Sequence, residues 1–320
     1  MMTRRTIRLA LIGCGEHAET GHAVPLARYA SEHPDEIRLV AACDIRIEKA
    51  QNFCERYGFE VAYGDIKELL AHQELDGCVA VVPPERISET GILLLTQDVP
   101  CVVEKPLGAN LSDVRALATA AAESGTRNMV SVNRRFMPFL NRALEFAVNV
   151  GSIRYIHCTM SRHGRFEPEF IWATAVHAVD TLRYIAGDVK KFEWSPMQGT
   201  NGPLWYNIDL HFMNGVEGRI DVLPTAGRLD ETYEFSGDGF CVSMTCPFGR
   251  SRGWFAYRDG ALVTEEFAPP GMPEDLLNGC YDETVEFIRT LRDGSVPKPS
   301  IAEVVPSVEI CMSIAAGNLS

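Results

Sequence analysis

The chain has 320 residues, 46% of them hydrophobic, with a formal net charge of −13. That length exceeds the roughly 100 to 200 residues of one domain, so two domains are expected. The acidic balance, without any run of lysine or arginine, argues against nucleic acid or an anionic membrane as the main partner and for a small molecule.

In chain order, two arginines, Arg4 and Arg5, precede an apolar run from Leu9 to Cys14. That run is shorter than the ~7–15 residues of a signal core, so no export signal is read here. No later stretch approaches the ~18 uncharged apolar residues of a membrane helix. Thr6 to Ile12 reads as a buried strand, followed by Gly13-Cys14-Gly15-Glu16-His17-Ala18 and a helix from about Glu19 to Tyr29. This is the G-x-G-x-x-A dinucleotide fingerprint. Gly13 allows the tight turn, Gly15 lets the backbone approach a pyrophosphate, Ala18 permits close packing of helix on strand, and the helix N-terminus receives the negative charge. Glu16 and His17 lie in the same turn. A second strand, Ile37 to Cys43, ends at Asp44, the acid that would hold the adenosine ribose and favour NAD; Arg46 leaves NADP possible.

Alternation continues with a helix over Arg46 to Tyr57, a strand over Cys78 to Val82, a helix over Ile87 to Thr96 and a strand over Val99 to Val103. A helix capped by Asn110 and stopped at Gly125 follows, and then a strand over Asn128 to Val132. Regular alternation implies a parallel sheet with crossover helices. Ligands of such sheets bind at the carboxyl ends of the strands, where Gly13, Asp44, Val82-Pro83, Glu104 and Asn133 fall. Glu104-Lys105-Pro106 is the most informative tripeptide. A lysine directly after a buried strand can bond a substrate hydroxyl and move its proton as hydride leaves the carbon, with Glu104 orienting it.

From about Met137 the pattern changes. A helix over Leu140 to Val148 gives way to strands joined at Asn214-Gly215, Gly237-Asp238-Gly239 and Asp259-Gly260, turns that connect antiparallel neighbours. One helix, "IWATAVHAVDTL" from Ile171 to Leu182, interrupts them, and helices over Tyr281 to Leu291 and Ile301 to Ala315 close the chain. The expected fold is therefore an α/β nucleotide-binding domain with a doubly wound parallel sheet, residues 1–136. An α+β domain with an open, mainly antiparallel sheet, residues 137–320, would follow it. The uncovered sheet face predicts a homo-oligomer, dimer or tetramer. Ten cysteines are scattered without C-x-x-C spacing, and Cys43, Cys78 and Cys101 fall in apolar runs, which fits a reducing cytoplasm.

These pieces, with Asn133-Arg134-Arg135-Phe136 and the His177-x-x-Asp180 helix, resemble the Gfo/Idh/MocA family of NAD(P)-dependent oxidoreductases over essentially the full length. The resemblance implies a Rossmann domain followed by an open-sheet domain that binds substrate and often mediates oligomerisation. The usual substrates are sugars, inositols and related polyols. It implies that Lys105 contacts the reacting hydroxyl and that His177 is an acid/base or substrate ligand. Arg135, Arg162, His163 and Trp172 become substrate-binding candidates, and no metal is needed.

The chain departs from the family pattern at Ala173, where an aspartate is common, at Ala175 for glycine, and at Val82 and Ile87 for threonine and histidine. By position Asp180 does not replace the missing aspartate and is expected to brace Arg135. Two other readings of the same scaffold are a redox-neutral, NAD-recycling glycosidase-type enzyme and a non-catalytic nucleotide sensor.

Overall fold

The computed structural model describes residues 5–197 and 202–317; Arg4, in the N-terminal stretch weighed as a leader, lies outside them. The chain divides into two compact units, Met1–Val132 with Cys280–Pro306, and Asn133–Gly279 with Ser307–Ser320. The first unit is thus discontinuous in sequence and takes back a helix from beyond residue 136.

In the first unit, β1 (Ile7–Ile12), β2 (Ile37–Cys43), β3 (Val61–Tyr63), β4 (Gly77–Ala80), β5 (Cys101–Glu104) and β6 (Asn128–Ser131) form one sheet in the order β3-β2-β1-β4-β5-β6. All five neighbouring pairs are parallel. The central strands are apolar throughout because helices cover both faces of such a sheet, leaving no solvated side to alternate toward. Helical residues begin at α1 (Glu16–Ala18), pass through a π-helical turn (Glu19–Ala23) and continue as α2 (Val24–Glu32). The helix therefore starts three residues before the expected Glu19. The crossovers are α3 (Ile47–Tyr57), α4 (Ile66–His72), α5 (Pro84–Thr96) and α6 (Leu111–Ser124). Asn110 caps α6 by accepting the Asp113 N–H at 3.0 Å, and Gly125 ends it at φ +65°.

The β3 and α4 pair was not expected from the sequence. Its strand is three residues long and partly exposed, and its helix buries only Leu69, so neither carries much periodicity.

The second unit opens with a 3₁₀ turn (Asn133–Phe136) and α7 (Pro138–Val150). Its eight strands are β7 (Ile153–Ser161), β8 (Val189–Met197), β9 (Trp205–Phe212), β10 (Glu217–Leu223), β11 (Asp230–Gly237), β12 (Phe240–Thr245), β13 (Gly253–Arg258) and β14 (Ala261–Phe267). They lie in the order β14-β13-β12-β11-β7-β10-β9-β8, antiparallel except for the parallel pair β7 and β10. All three expected glycine turns join antiparallel partners: β9 to β10, β11 to β12 and β13 to β14.

Burial alternates along β10 and β12, as a sheet covered on one face requires. Helix α7 packs on β12 and β13. The run from Ile171 to Leu182 is not one helix but two, α8 (Phe170–Ala173) and α9 (Val176–Ala186). At the break the Ala175 N–H reaches five residues back to Phe170 and the Ala178 N–H only three, to Ala175. Helix α9 packs on β7 and β10. A short α10 (Glu274–Leu277) precedes α11 (Cys280–Asp293), which packs on β1 and α2 within the first unit, and α12 (Ile301–Ala315) ends the described chain.

Candidate active site

The carboxyl edge of the parallel sheet assembles the fingerprint. Gly13 follows β1 at φ +90°, and a Cβ there would stand 1.9 Å from the Val81 carbonyl oxygen, so no other residue fits the turn. Its N–H donates to the Cys43 carbonyl at 2.7 Å, tying the turn to β2. Gly15 is the N-cap of α1; no side chain caps the helix there, and a Cβ would meet nothing within 4 Å. Ala18 is buried under the helix.

Asp44, directly after β2, accepts the Cys14 N–H at 2.9 Å through Oδ2 and the Arg46 N–H at 2.9 Å through Oδ1. That pair of bonds fixes the carboxylate at the mouth of the glycine turn. Arg46 is exposed, and Glu16, also exposed, stands in the first turn of α1. Val82 is half-buried and exposed Pro83 is the N-cap of α5, after β4. Open backbone at Gly15, uncapped first-turn amides and an acid two strands from β4 fit a dinucleotide, the pyrophosphate on the amides and the ribose on Asp44.

Glu104, the last residue of β5, is 4% exposed. Its Oε1 lies 2.8 Å from His22 Nε2 and 3.0 Å from His17 Nε2, while Oε2 is buried without a hydrogen-bond partner. Burial pushes this carboxyl up, but the charge and hydrogen bond of His17 and the contact with His22 outweigh it and hold Glu104 well below the usual carboxylate range. His22 is a residue that sequence reading missed. Lys105 follows directly, half-buried, in the turn after β5. It therefore leaves the same strand end as a carboxylate that stays ionised.

The remaining predicted residues lie in the second unit. Asn133 is buried, donates to the Asn278 carbonyl at 2.8 Å and accepts from Arg134 at 3.0 Å. Arg135 grips Asp180 with two bonds of 2.7 Å, the expected brace, and Ser307 also donates to Asp180, at 2.9 Å. His177, the second residue of α9, is 6% exposed, and its carbonyl accepts the Thr181 hydroxyl at 2.7 Å.

Arg162 is buried and bonded to Glu231, which also binds Arg134 at 3.1 and 3.2 Å and the Tyr233 hydroxyl at 2.7 Å. Glu231 is fully buried. Burial raises its carboxyl, but the Arg134 and Arg162 charges prevail and set it at about 2. Arg162 is thus committed to a buried ion triad. His163 is exposed and Trp172 half-buried. The neighbouring segment walls a cavity of about 500 Å³ with Phe166, Phe170 and Ile171, closed by Leu204, Tyr206 and Pro224; none of the predicted substrate residues lines it.

Residues 7–133 match the model of the Gfo/Idh/MocA oxidoreductase family, described by its NAD-binding Rossmann fold. The match spans the nucleotide-binding sheet, and it likens this part of the chain to NAD-binding oxidoreductases. Among curated proteins similar to this chain, the 4-carboxy-2-hydroxymuconate-6-semialdehyde dehydrogenase of Sphingobium sp. is 23% identical over 93% of this chain and 95% of its own length. Myo-inositol 2-dehydrogenase of Thermotoga maritima is 28% identical over 57% of this chain and 55% of its own. D-apiose dehydrogenase of Paraburkholderia graminis is 27% identical over 59% and 52%.

The fold matches an Agrobacterium radiobacter oxidoreductase solved with NAD+, L-tartaric acid and magnesium, at TM-score 0.83 and 16% identity over 98% of this chain and 96% of that one. It also matches a myo-inositol dehydrogenase of Corynebacterium glutamicum at TM-score 0.80 and 18% identity over 98% and 96%. Among the described residues no helix is long and apolar enough to cross a membrane.

Proposed function

We propose that this oxidoreductase moves a hydride between NAD(P) and a secondary alcohol or ketone carbon of a sugar, inositol or related polyol in the cytoplasm. The observation that carries the reading is the placement of Lys105 at the carboxyl end of β5, on the sheet edge that also holds the Gly13–Gly15 turn and Asp44. The names of the sugar and inositol dehydrogenases it resembles support the substrate class.

The first unit holds the nucleotide through Gly13, Gly15, Asp44 and the turn around Val82-Pro83. Bound there, NAD+ supplies the acceptor for the hydride. In the oxidative direction Lys105, as the neutral amine, takes the hydroxyl proton while the carbon gives up its hydride; in reduction the lysine ammonium returns that proton. Glu104, kept ionised by His17 and His22, stands one residue before that lysine at the strand end. His177 is assigned by motif position as the second proton-handling or substrate-binding group. His163 and Trp172 remain as substrate contacts, whereas Arg135 and Arg162 serve as framework because their guanidinium groups are held by Asp180 and Glu231. The second unit, through its open sheet, forms the homo-oligomer.

The test is absorbance-monitored turnover with NAD+ and NADP+ over a panel of inositols, hexoses, pentoses, sugar acids and sugar phosphates. Reduction of nucleotide by one class fixes the substrate. Silence across the panel, with nucleotide still bound, overturns the dehydrogenase reading in favour of NAD recycling or sensing.

A further inference from the structure

Two histidines five residues apart do not share a face of a regular α-helix: at 3.6 residues per turn they diverge by about 140°. His17 and His22 nevertheless converge, with ring centroids 6.2 Å apart and both Nε2 atoms on Glu104 Oε1. The cause lies three residues past His22. Pro25 has no N–H for the residue 21 carbonyl and its ring would clash with it, so the chain widens into the π-turn Glu19–Ala23, where the Val24 N–H bonds five residues back to Glu19. One extra residue in the turn gives His17-x-x-x-x-His22 the geometry that His-x-x-x-His has on an ordinary helix, the spacing by which a helix offers two imidazoles to one metal ion.

We propose that His17, His22 and Glu104 form a binding site for a divalent transition metal of the zinc type. The three donor atoms lie within 4.8 Å of one another. Two nitrogens and one carboxylate oxygen, with a fourth position open, form a donor set that Zn2+ accepts. Tetrahedral Zn2+ at its usual bond lengths spaces its ligand atoms by about 3.4 Å. The present contacts of 2.8 and 3.0 Å need to open by only a few tenths of an ångström, and the His17 side chain, 60% exposed, is able to move.

The hydrogen bonding at Glu104 is one-sided. Both imidazoles crowd one oxygen of Glu104 while the other, buried, has no partner. Where this chain uses a carboxylate purely as a brace, at Asp180, donors reach both oxygens. The unused Oε2 gives the carboxylate a second atom with which to meet an ion. Exposed His17 gives the ion its way in.

The test uses the full-length protein without nucleotide, so that it stands whether or not the hydride-transfer reading holds. Zn2+ is titrated against a competing chromogenic chelator, and Co2+ serves as the spectroscopic probe. One tight site per chain is expected, weakened at least tenfold in His17→Ala and in Glu104→Gln. Its Co2+ form should show visible bands of tetrahedral intensity and no thiolate charge-transfer band. His17 is on the surface, so His17→Ala retains the fold, which thermal unfolding checks. Equal affinity in wild type and His17→Ala, or a thiolate band placing the ion on cysteines, overturns the proposal.

Discussion

Glu231 and Asp180 in the second unit and Glu104 in the first are buried in different ways. In the second, Glu231 receives Arg134, Arg162 and Tyr233 across both oxygens, and Asp180 receives Arg135 on both and Ser307 besides. Each is saturated and locks elements together: β11 to the 3₁₀ turn and the end of β7, and α9 to the 3₁₀ turn and α12. In the first, Glu104 has two donors on one oxygen and none on the other, and one donor is largely exposed. Glu231 and Asp180 are in this way frame, whereas Glu104 keeps an oxygen that a ligand would complete, because a charge with unused valence in a dry place costs stability. This distinction moves Arg162 and Arg135 out of the substrate-binding set and leaves Glu104 and its histidines in the functional one.

The contrast breaks most visibly at Glu231. Glu231→Ala strands two buried guanidinium groups, so a loss of about 3–5 kcal/mol is expected in urea unfolding; a loss below about 1 kcal/mol would show the triad to be no frame. The same group predicts acid sensitivity. Its folded-state pKa lies below the unfolded value, so its contribution is complete above pH 4.5 and fades as pH falls toward about 2. Stability measured across that window should decline in wild type and flatten in Glu231→Gln. At Gly13 the strain at φ +90° alone costs about 1–3 kcal/mol, and the clash of an added Cβ with the Val81 carbonyl oxygen adds to it. Gly13→Ala should also lose nucleotide binding at least tenfold, and normal binding by it would remove the fingerprint from the account. Smallest is Asn110→Ala, a lost cap on α6 worth about 1 kcal/mol with nucleotide affinity unchanged, which calibrates what a local bond in the first unit contributes.

Much of this was legible in sequence because its signals are local. The fingerprint needs Gly13 for a backbone reason, the buried strands β1 and β2 are continuous apolar runs, and Asn-Gly and Asp-Gly turns dictate hairpins. Asp180 pairing with Arg135 followed from helical phase. What stayed hidden depends on distant partners or irregular backbone. Glu231 looks like one acid in a polar strand until Arg134 and Arg162 arrive from elsewhere in the chain. The break at Thr174-Ala175 leaves no mark in an apolar, helix-prone run. The return of Cys280–Pro306 to the first unit is a packing outcome that helical periodicity does not address. His22 escaped because it is five residues from His17, off any regular helical face; the signal available was Pro25 inside the helix, which forces the wider turn.

The most direct test of the central claim pairs turnover with nucleotide titration in wild type and Lys105→Ala. The account predicts that Lys105→Ala loses at least a hundredfold in kcat on the substrate identified for the wild type, while its affinity for nucleotide stays within threefold. Turnover near the wild-type value in that variant would contradict it and take the proton-transfer role away from Lys105.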